Sequence, residues 1–294
     1  MIDLYPLVKR YSVHLACLNT LVIGVTGCVS SGGDSNNAAG SRVSKGWVVI
    51  DTFETISLST WEMRDTKNET SPRVENPQIT VIERESSGNH YMLKKPAADG
   101  IVGNRKALTY RQLPKPVPLG ETATFYTRIN VENFPNNHVF GLSNLAPVQI
   151  DLHDYNALEP SIRVTDKAES DGQRNDGTLM VRVGDGYAKI ENNKTKKSAQ
   201  PLLTDTWYEL WYVVNNRPRS AGGQRYDLYV RGGEFTRQQL VFKDADFRMK
   251  RELPLTYFFA NCNTGPVDKP YGNGGLRYDD LYMSEGTLLS TPSN

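Results

Sequence analysis

From Gly46 onward the chain is patterned as short strands. The segment ETATFYTRINV alternates apolar and polar residues, with Phe125 and Ile129 on one face, and GTLMVRV places Val181 and Val183 together. Side chains along a strand point alternately to its two faces, so this period of two predicts half-buried strands. Helical spacing is nearly absent.

The segment DTWYELWYVVNN differs because it is apolar on both faces. Trp207 and Trp211 share one face, and Tyr208 and Tyr212 share the other. Such a strand is expected at the centre of a sheet that is covered on both sides. Turn-forming segments such as NNRPRSAGGQ separate the strands, and many short strands with such turns predict an all-β, two-sheet antiparallel jelly-roll sandwich.

The first 27 residues have the pattern of a secretory signal. Lys9 and Arg10 precede an uncharged, largely apolar run that ends in small residues. A membrane-spanning helix needs about 20 apolar residues, and this run is shorter. Val-Thr-Gly-Cys at its end resembles the lipobox of bacterial lipoproteins, which implies lipidation of Cys28. The alternative is an ordinary cleaved signal, with Cys28 incidental.

The domain boundaries follow from composition. Residues 28–45 are rich in Gly, Ser and Asn and are predicted to form a flexible tether, which as a coil spans roughly 22 Å. Residues 46–288 form the predicted jelly-roll domain, and 289–294 a tail. The lipobox resemblance implies a membrane anchor at the cell envelope. Val29, where an inner-membrane retention signal would have Asp, favours the outer membrane.

Charge and aromatic content narrow the classes of partner. Removing Lys9, Arg10 and Asp3 with the leader from the 34 basic and 33 acidic residues leaves equal numbers of each. A neutral domain argues against nucleic acid, because phosphate binding needs a basic excess. The 15 Tyr and 4 Trp favour stacking on sugar rings, so a polysaccharide or surface glycan is the expected partner.

Two segments carry a resemblance to a known superfamily. VVIDTFE, followed by Trp61, and YDDLYMSEG near the end resemble the opening and closing strands of concanavalin A-like lectins and glucanases, including laminin-G-like members. The resemblance implies a jelly roll with adjacent first and last strands and a saccharide groove on its concave sheet. It also implies one structural Ca²⁺ where those strands meet, held by Asp51 and Asp280. No other cofactor is indicated.

Catalytic signatures of this superfamily are only partly present. The Glu-x-Asp-x-x-Glu strand of family 16 glucanases, which places two carboxylates on one face, is absent. Alginate-lyase jelly rolls supply a similar set of residue types: His153 in VQIDLHDYN, predicted as a strand, then Arg163, Tyr257 and Asn261. The order departs from that family, because Gln-Ile runs into Asp151 where the lyases have His.

Three functions remain open after this comparison. The missing catalytic signatures favour a non-catalytic carbohydrate-binding module, with Tyr208 and Tyr212 facing the groove and the tryptophans filling the interior. The first alternative is a uronate-type polysaccharide lyase, in which His153, Arg163, Tyr257 and Asn261 would meet in one groove. The second is a structural envelope lipoprotein without a ligand.

The anchor hypothesis predicts the behaviour of a Cys28→Ala variant. Without a thiol the diacylglycerol cannot attach, and a chain lacking its acyl groups binds membranes weakly. Most of the variant should leave the membrane fraction or accumulate unprocessed, as judged by fractionation and labelling with radioactive fatty acid. Labelling and fractionation identical to the wild type would refute the hypothesis.

Overall fold

The computed structural model describes residues 46–75, 78–96, 102–168, 174–263 and 274–293. The predicted signal, Cys28 and the tether lie outside these ranges. Within them, no helix is both long enough and apolar enough to cross a membrane.

Seventeen strands account for most of the described chain. They are β1 Val48–Asp51, β2 Glu62–Ser71, β3 Gln78–Arg84, β4 His90–Pro96, β5 Val102–Val117, β6 Thr122–Val131, β7 Asn137–Ser143, β8 Leu158–Thr165, β9 Leu179–Val183, β10 Gly186–Lys189, β11 Glu191–Asn192, β12 Lys197–Ser198, β13 Trp207–Asn215, β14 Arg225–Gly232, β15 Phe235–Asp246, β16 Leu255–Asn263 and β17 Leu276–Glu285. The helices are α1, Pro147–His153, and two 3-10 turns, Asp154–Ala157 and Arg219–Ala221.

The strands form two large antiparallel sheets. One has the order β15-β14-β13-β6-β17-β4-β3, with β1 also paired to β17, and the other has the order β10-β9-β8-β7-β16-β5-β2. The first and last strands are adjacent, with Val48 opposite Met283. This architecture confirms the predicted all-β jelly-roll sandwich.

Aromatic side chains fill the space between the sheets. Phe125 on β6 stacks on Tyr212 on β13, with ring centroids 5.3 Å apart. Tyr278 on β17 meets Phe140 on β7 edge-on at 5.4 Å and Phe258 on β16 at 6.3 Å. The first contact lies within one sheet, and the contacts of Tyr278 join the two sheets. Because these rings point inward, the alternate residues of the same strands lie on the outer faces.

The prediction that Tyr208 and Tyr212 face a groove is wrong. Both lie in the core, with 2% and 1% of their surfaces exposed. Trp211 instead faces outward, where Leu288 and Leu289 of the C-terminal segment pack over it and its Nε1 donates to the Ser290 carbonyl. Because both faces of β13 are covered, the apolar character of its residues could not show which face points to the core.

The segment VQIDLHD is a helix and not the predicted strand. Pro147 occupies the first turn of α1, a position where its missing N–H and fixed φ are compatible with a helix. The strand was expected because Gln-Ile resembles the lyase strand, which would place Gln149 and His153 on one face. In the helix Ile150 is buried, and Val148 and Leu152 are exposed. The helix therefore rests on the sheet through a single apolar side chain.

Two adjacent carboxylates on β17 share the guanidinium of Arg128, which is on β6. Arg128 Nη1 lies 3.2 Å from an oxygen of Asp279 and 3.2 Å from an oxygen of Asp280. Asp279 is fully buried and also accepts from Asn89 Nδ2 at 2.9 Å. Burial, and then the charge of Asp280, raise the pKa of Asp279 to about 7.

This raised pKa predicts a pH-dependent stability that an Asp279→Asn variant should lack. The folded state holds a proton on Asp279 up to about pH 7, whereas the unfolded chain releases it near 3.8. The free energy of unfolding therefore falls as pH rises between these values, by at most about 1.4 kcal/mol per pH unit. In urea titrations from pH 5 to 8, the free energy of unfolding of the variant should increase relative to that of the wild type as pH rises. Parallel profiles would contradict this account.

Candidate ligand-binding cleft

The outer face of the seven-stranded sheet is half covered. Helix α1 and the turn Asp154–Ala157 lie on it through an apolar cluster composed of Leu108, Tyr110, Val139, Ile150, Ala157, Leu158 and Phe259. Beside this cover lies a cleft of about 410 Å³ over strands β7, β8, β9 and β16. The alternation set by the core determines which side chains form its floor.

One row of side chains crosses the floor from strand to strand. Asn261 on β16 is opposite Val139 on β7, which is opposite Arg163 on β8. Their neighbours Phe140 and Ile162 point into the core. On the far side, Arg182 on β9 is opposite Tyr187 on β10. All of these outward residues line the cleft.

Gly141 allows β8 to lie against β7 at this point. A Cβ on Gly141 would fall 1.9 Å from the carbonyl oxygen of Pro160, so any side chain would force the two strands apart. The pairing shifts register just beyond Gly141, which is opposite Ser161. The close approach holds Ser161 next to the wall of the cleft.

Two tyrosines from different elements meet across the cleft. The Tyr155 hydroxyl, on the 3-10 turn, donates to the Tyr187 hydroxyl at 2.5 Å, and Ser161 Oγ lies 3.1 Å from the same oxygen. Burial raises the pKa of Tyr155 well above 10, so this phenol is protonated at neutral pH. The pair links the turn to the β9–β10 hairpin.

Guanidinium groups occupy the faces of these rings. Arg248 lies 4.0 Å from the centroid of Tyr155, and Arg163 and Arg182 lie 5.3 and 5.5 Å from that of Tyr187. Such contacts contribute about 0.5–2 kcal/mol each. The rings therefore position cations, and the site differs from the aromatic stacking platform that the sequence suggested.

Positive charge predominates among the described residues of the lining. Five are basic and one, Asp185, is acidic; the basic residues are Lys106, Arg163, Lys167, Arg182 and Arg248. Lys106 pairs with Asp154 at 3.1 Å. Arg248 binds the neutral amide oxygen of Asn156 at 2.8 Å.

Two buried polar atoms of the lining lack hydrogen-bond partners. These are Oδ1 of Asn261, a residue 2% exposed, and Nε of Arg182, a residue 7% exposed. A buried polar group without a partner costs about 1–3 kcal/mol, more if it is charged. A bound molecule that offers a donor to Asn261 and an acceptor to Arg182 would remove this cost.

The four residues of the lyase alternative are not brought together. Arg163 and Asn261 line the cleft, as that alternative required. His153 is exposed at the end of α1. Tyr257 packs edge-on against Tyr110, at 5.9 Å, within the covered half of the face. His153 is displaced because its segment is helical.

Sequence reasoning missed Tyr155, Arg182, Tyr187 and Arg248. The strand pattern of GTLMVRV already placed Arg182 on the face opposite Val181, so alternation could have identified it. Tyr187 follows directly across the hairpin turn. Arg248 comes from the connection between β15 and β16, where no periodicity indicates its direction.

Asp51 and Asp280 do not fit the calcium site that the resemblance implied. Asp51 accepts from the Phe53 backbone N–H at 2.8 Å and from Trp61 Nε1 at 2.7 Å, and it forms an ion pair with Arg111. Asp280 is engaged by Arg128. Calcium needs six to eight oxygen ligands, and within the described ranges no group of three acidic, His or Cys side chains could hold a metal.

No family model and no curated protein matches this chain. Solved structures with a similar fold include the carbohydrate recognition domain of Emp47p, at 11% identity and a TM-score of 0.46, covering 85% of this chain and 100% of that one. The VIP36 exoplasmic/lumenal domain bound to Ca²⁺ and Man3GlcNAc gives 12% identity, a TM-score of 0.46 and coverage of 85% and 94%.

A marine PL-14 alginate lyase from Aplysia kurodai gives 10% identity and a TM-score of 0.44, covering 71% of this chain and 91% of that one. All three are similar to this chain in fold alone. The ligand or activity named for each belongs to that protein.

Proposed function

We propose that the chain is a non-catalytic carbohydrate-binding module and that the cleft over β7, β8, β9 and β16 holds a saccharide chain. The observation that carries this proposal is Asn261, whose Oδ1 is buried in the lining without a partner. A sugar hydroxyl is a donor of suitable size. The proposal moves the binding site from Tyr208 and Tyr212 to the opposite sheet.

The rest of the lining is suited to the same ligand. Asn137, Asn175 and Asn263 also contribute to it, and amide side chains both donate and accept, as sugar hydroxyls do. Binding through such contacts needs no ring stacking, which suits tyrosines whose faces are occupied by guanidinium groups.

A lyase is the second candidate, favoured by the nearness of the Tyr155 and Tyr187 hydroxyls to Arg163. Elimination would need a base to remove the C5 proton of a uronate, a partner to neutralise its carboxylate, and an acid to protonate the glycosidic oxygen that leaves C4. Arg163 and Asn261 are suited to the second task. Tyr155 is poorly suited to the first, because its raised pKa keeps it protonated. His153, the base expected from sequence, lies outside the lining.

The predicted anchor gives this module a location. We propose that lipidated Cys28 and the tether 28–45 hold the domain roughly 22 Å from the membrane of a bacterial cell envelope, with the outer membrane favoured. A weak saccharide site gains from such attachment, because many anchored copies can engage one polymer at once. If no glycan binds, the structural envelope lipoprotein remains.

Asn261→Ala tests the site, and Asn144→Ala is its matched control. Asn144 is likewise buried with an unpartnered Oδ1, but it lies outside the cleft. On an array of neutral and acidic polysaccharides, the wild type and Asn144→Ala should bind the same glycans. Asn261→Ala should bind them about tenfold more weakly, corresponding to 1.4 kcal/mol for a lost hydrogen bond.

The same samples separate the alternatives. Equal losses in the two variants, or no loss in Asn261→Ala, would place the glycan elsewhere. Ultraviolet-absorbing unsaturated uronate in the wild-type reaction would establish the lyase. Absence of binding to every glycan would leave the structural role.

A further inference from the structure

We infer that the saccharide is acidic and that its anionic group binds at Arg182, with Arg163 on the neighbouring strand as the second cation. This inference deepens the proposed function and rests on it. The ligand class is a sugar bearing a carboxylate or a sulfate ester, since a guanidinium binds either oxyanion through paired N–H donors.

Arg182 has a charge that the described residues compensate poorly. Its side chain is 8% exposed, and its one ion pair is a 3.6 Å contact from Nη2 to Asp185, a fully exposed carboxylate. An ion pair with an exposed carboxylate contributes little to stability, whereas removing a charge from water is costly. The unpartnered Nε adds to that cost. An anion bound in the cleft would compensate the positive charge of Arg182 and could accept a hydrogen bond from its Nε.

The fold holds this guanidinium in place before any ligand arrives. Arg182 is on the regular strand β9, its backbone N–H donates to the Tyr226 hydroxyl at 3.3 Å, and its guanidinium lies beside the Tyr187 ring. The Tyr187 hydroxyl is itself fixed by Tyr155 and Ser161. Little conformational entropy is then lost on binding, which favours affinity.

A second guanidinium faces the same ring. Arg163 lies 5.3 Å from the Tyr187 centroid, and its Nη2 is 3.5 Å from Asn137 Oδ1. With Arg248 on the Tyr155 ring, three guanidinium groups lie against the two linked tyrosine rings. A neutral sugar would add no compensation for the buried charge of Arg182, so the lining discriminates in favour of an acidic residue.

The test compares polymers that differ only in charge. The probes are polygalacturonate, the same polymer after reduction of its carboxyl groups, dextran sulfate, and unmodified dextran. Calorimetric titrations use the full chain as wild type, Arg182→Gln and Arg237→Gln. Arg237 is an exposed residue outside the cleft, so its variant makes the same change in net charge.

We expect the wild type and Arg237→Gln to bind one of the charged polymers at least tenfold more tightly than its neutral counterpart. Arg182→Gln should lose that tenfold preference, and its affinity should depend less on salt concentration. Preference for polygalacturonate identifies a carboxylate ligand, and preference for dextran sulfate a sulfate ester. If the glutamine variant is unstable, Arg182→Lys replaces it in the titrations. Because lysine retains the charge, that variant should keep part of the preference for the charged polymer.

Equal binding of charged and neutral polymers, or an Arg182→Gln variant with an unchanged preference, would overturn the inference. In that case a loss of neutral binding in Asn261→Ala would still support the proposed saccharide site. Failure of every polymer to bind would overturn both.

Discussion

The aromatic contacts between the two sheets determine which side chains form the cleft. Tyr278 packs against Phe140 and Phe258, and this contact fixes the inward face of β7 and β16. Because a strand alternates, Val139 and Asn261 must then face outward. A slip of one residue in either strand would bury Asn261 in the sandwich and expose an aromatic ring, at a cost of several kcal/mol. The binding face therefore follows from the packing of the core.

The two outer faces of the sandwich differ in how they are covered. On the eight-stranded sheet, Trp47, Tyr126, Trp211 and Tyr282 form an apolar cluster under the C-terminal segment. On the seven-stranded sheet, α1 and its following turn cover only part of the face. The uncovered part is rich in cations and amides. This asymmetry supports the proposed ligand site on the seven-stranded sheet, and it gives Trp211 of β13 a place in the apolar cluster under the C-terminal segment.

The fold was predictable because its strands follow a period of two and are separated by clear turns. The orientation of β13 was not, since Tyr212 and Trp211 are both apolar enough for either side, and the covering of Trp211 comes from the distant C-terminal segment. The segment around Ile150 was misread because its Gln-Ile pair resembles a lyase strand, although Pro147 begins a helix there.

The site was only partly predictable for a related reason. Arg163 and Asn261 were identified through a resemblance to lyases, yet their neighbours in space come from other parts of the chain. Arg182 reaches the cleft through strand alternation and Tyr187 through a hairpin, so their positions relative to β8 are set by strand pairing. Arg248 arrives from a connection whose course depends on tertiary contacts such as that of its backbone N–H with the Glu159 carbonyl. Pairing between distant segments is not encoded in local periodicity.

Hydrogen exchange measured with and without a saturating glycan, identified from the array, tests the central claim most directly, because it locates the ligand without any substitution. If the glycan lies in the cleft, amides of β8, β9, β10 and β16 should exchange more slowly in its presence, and those of β13 and β14 on the opposite sheet should be unchanged. Protection confined to β13 and β14 would contradict the account.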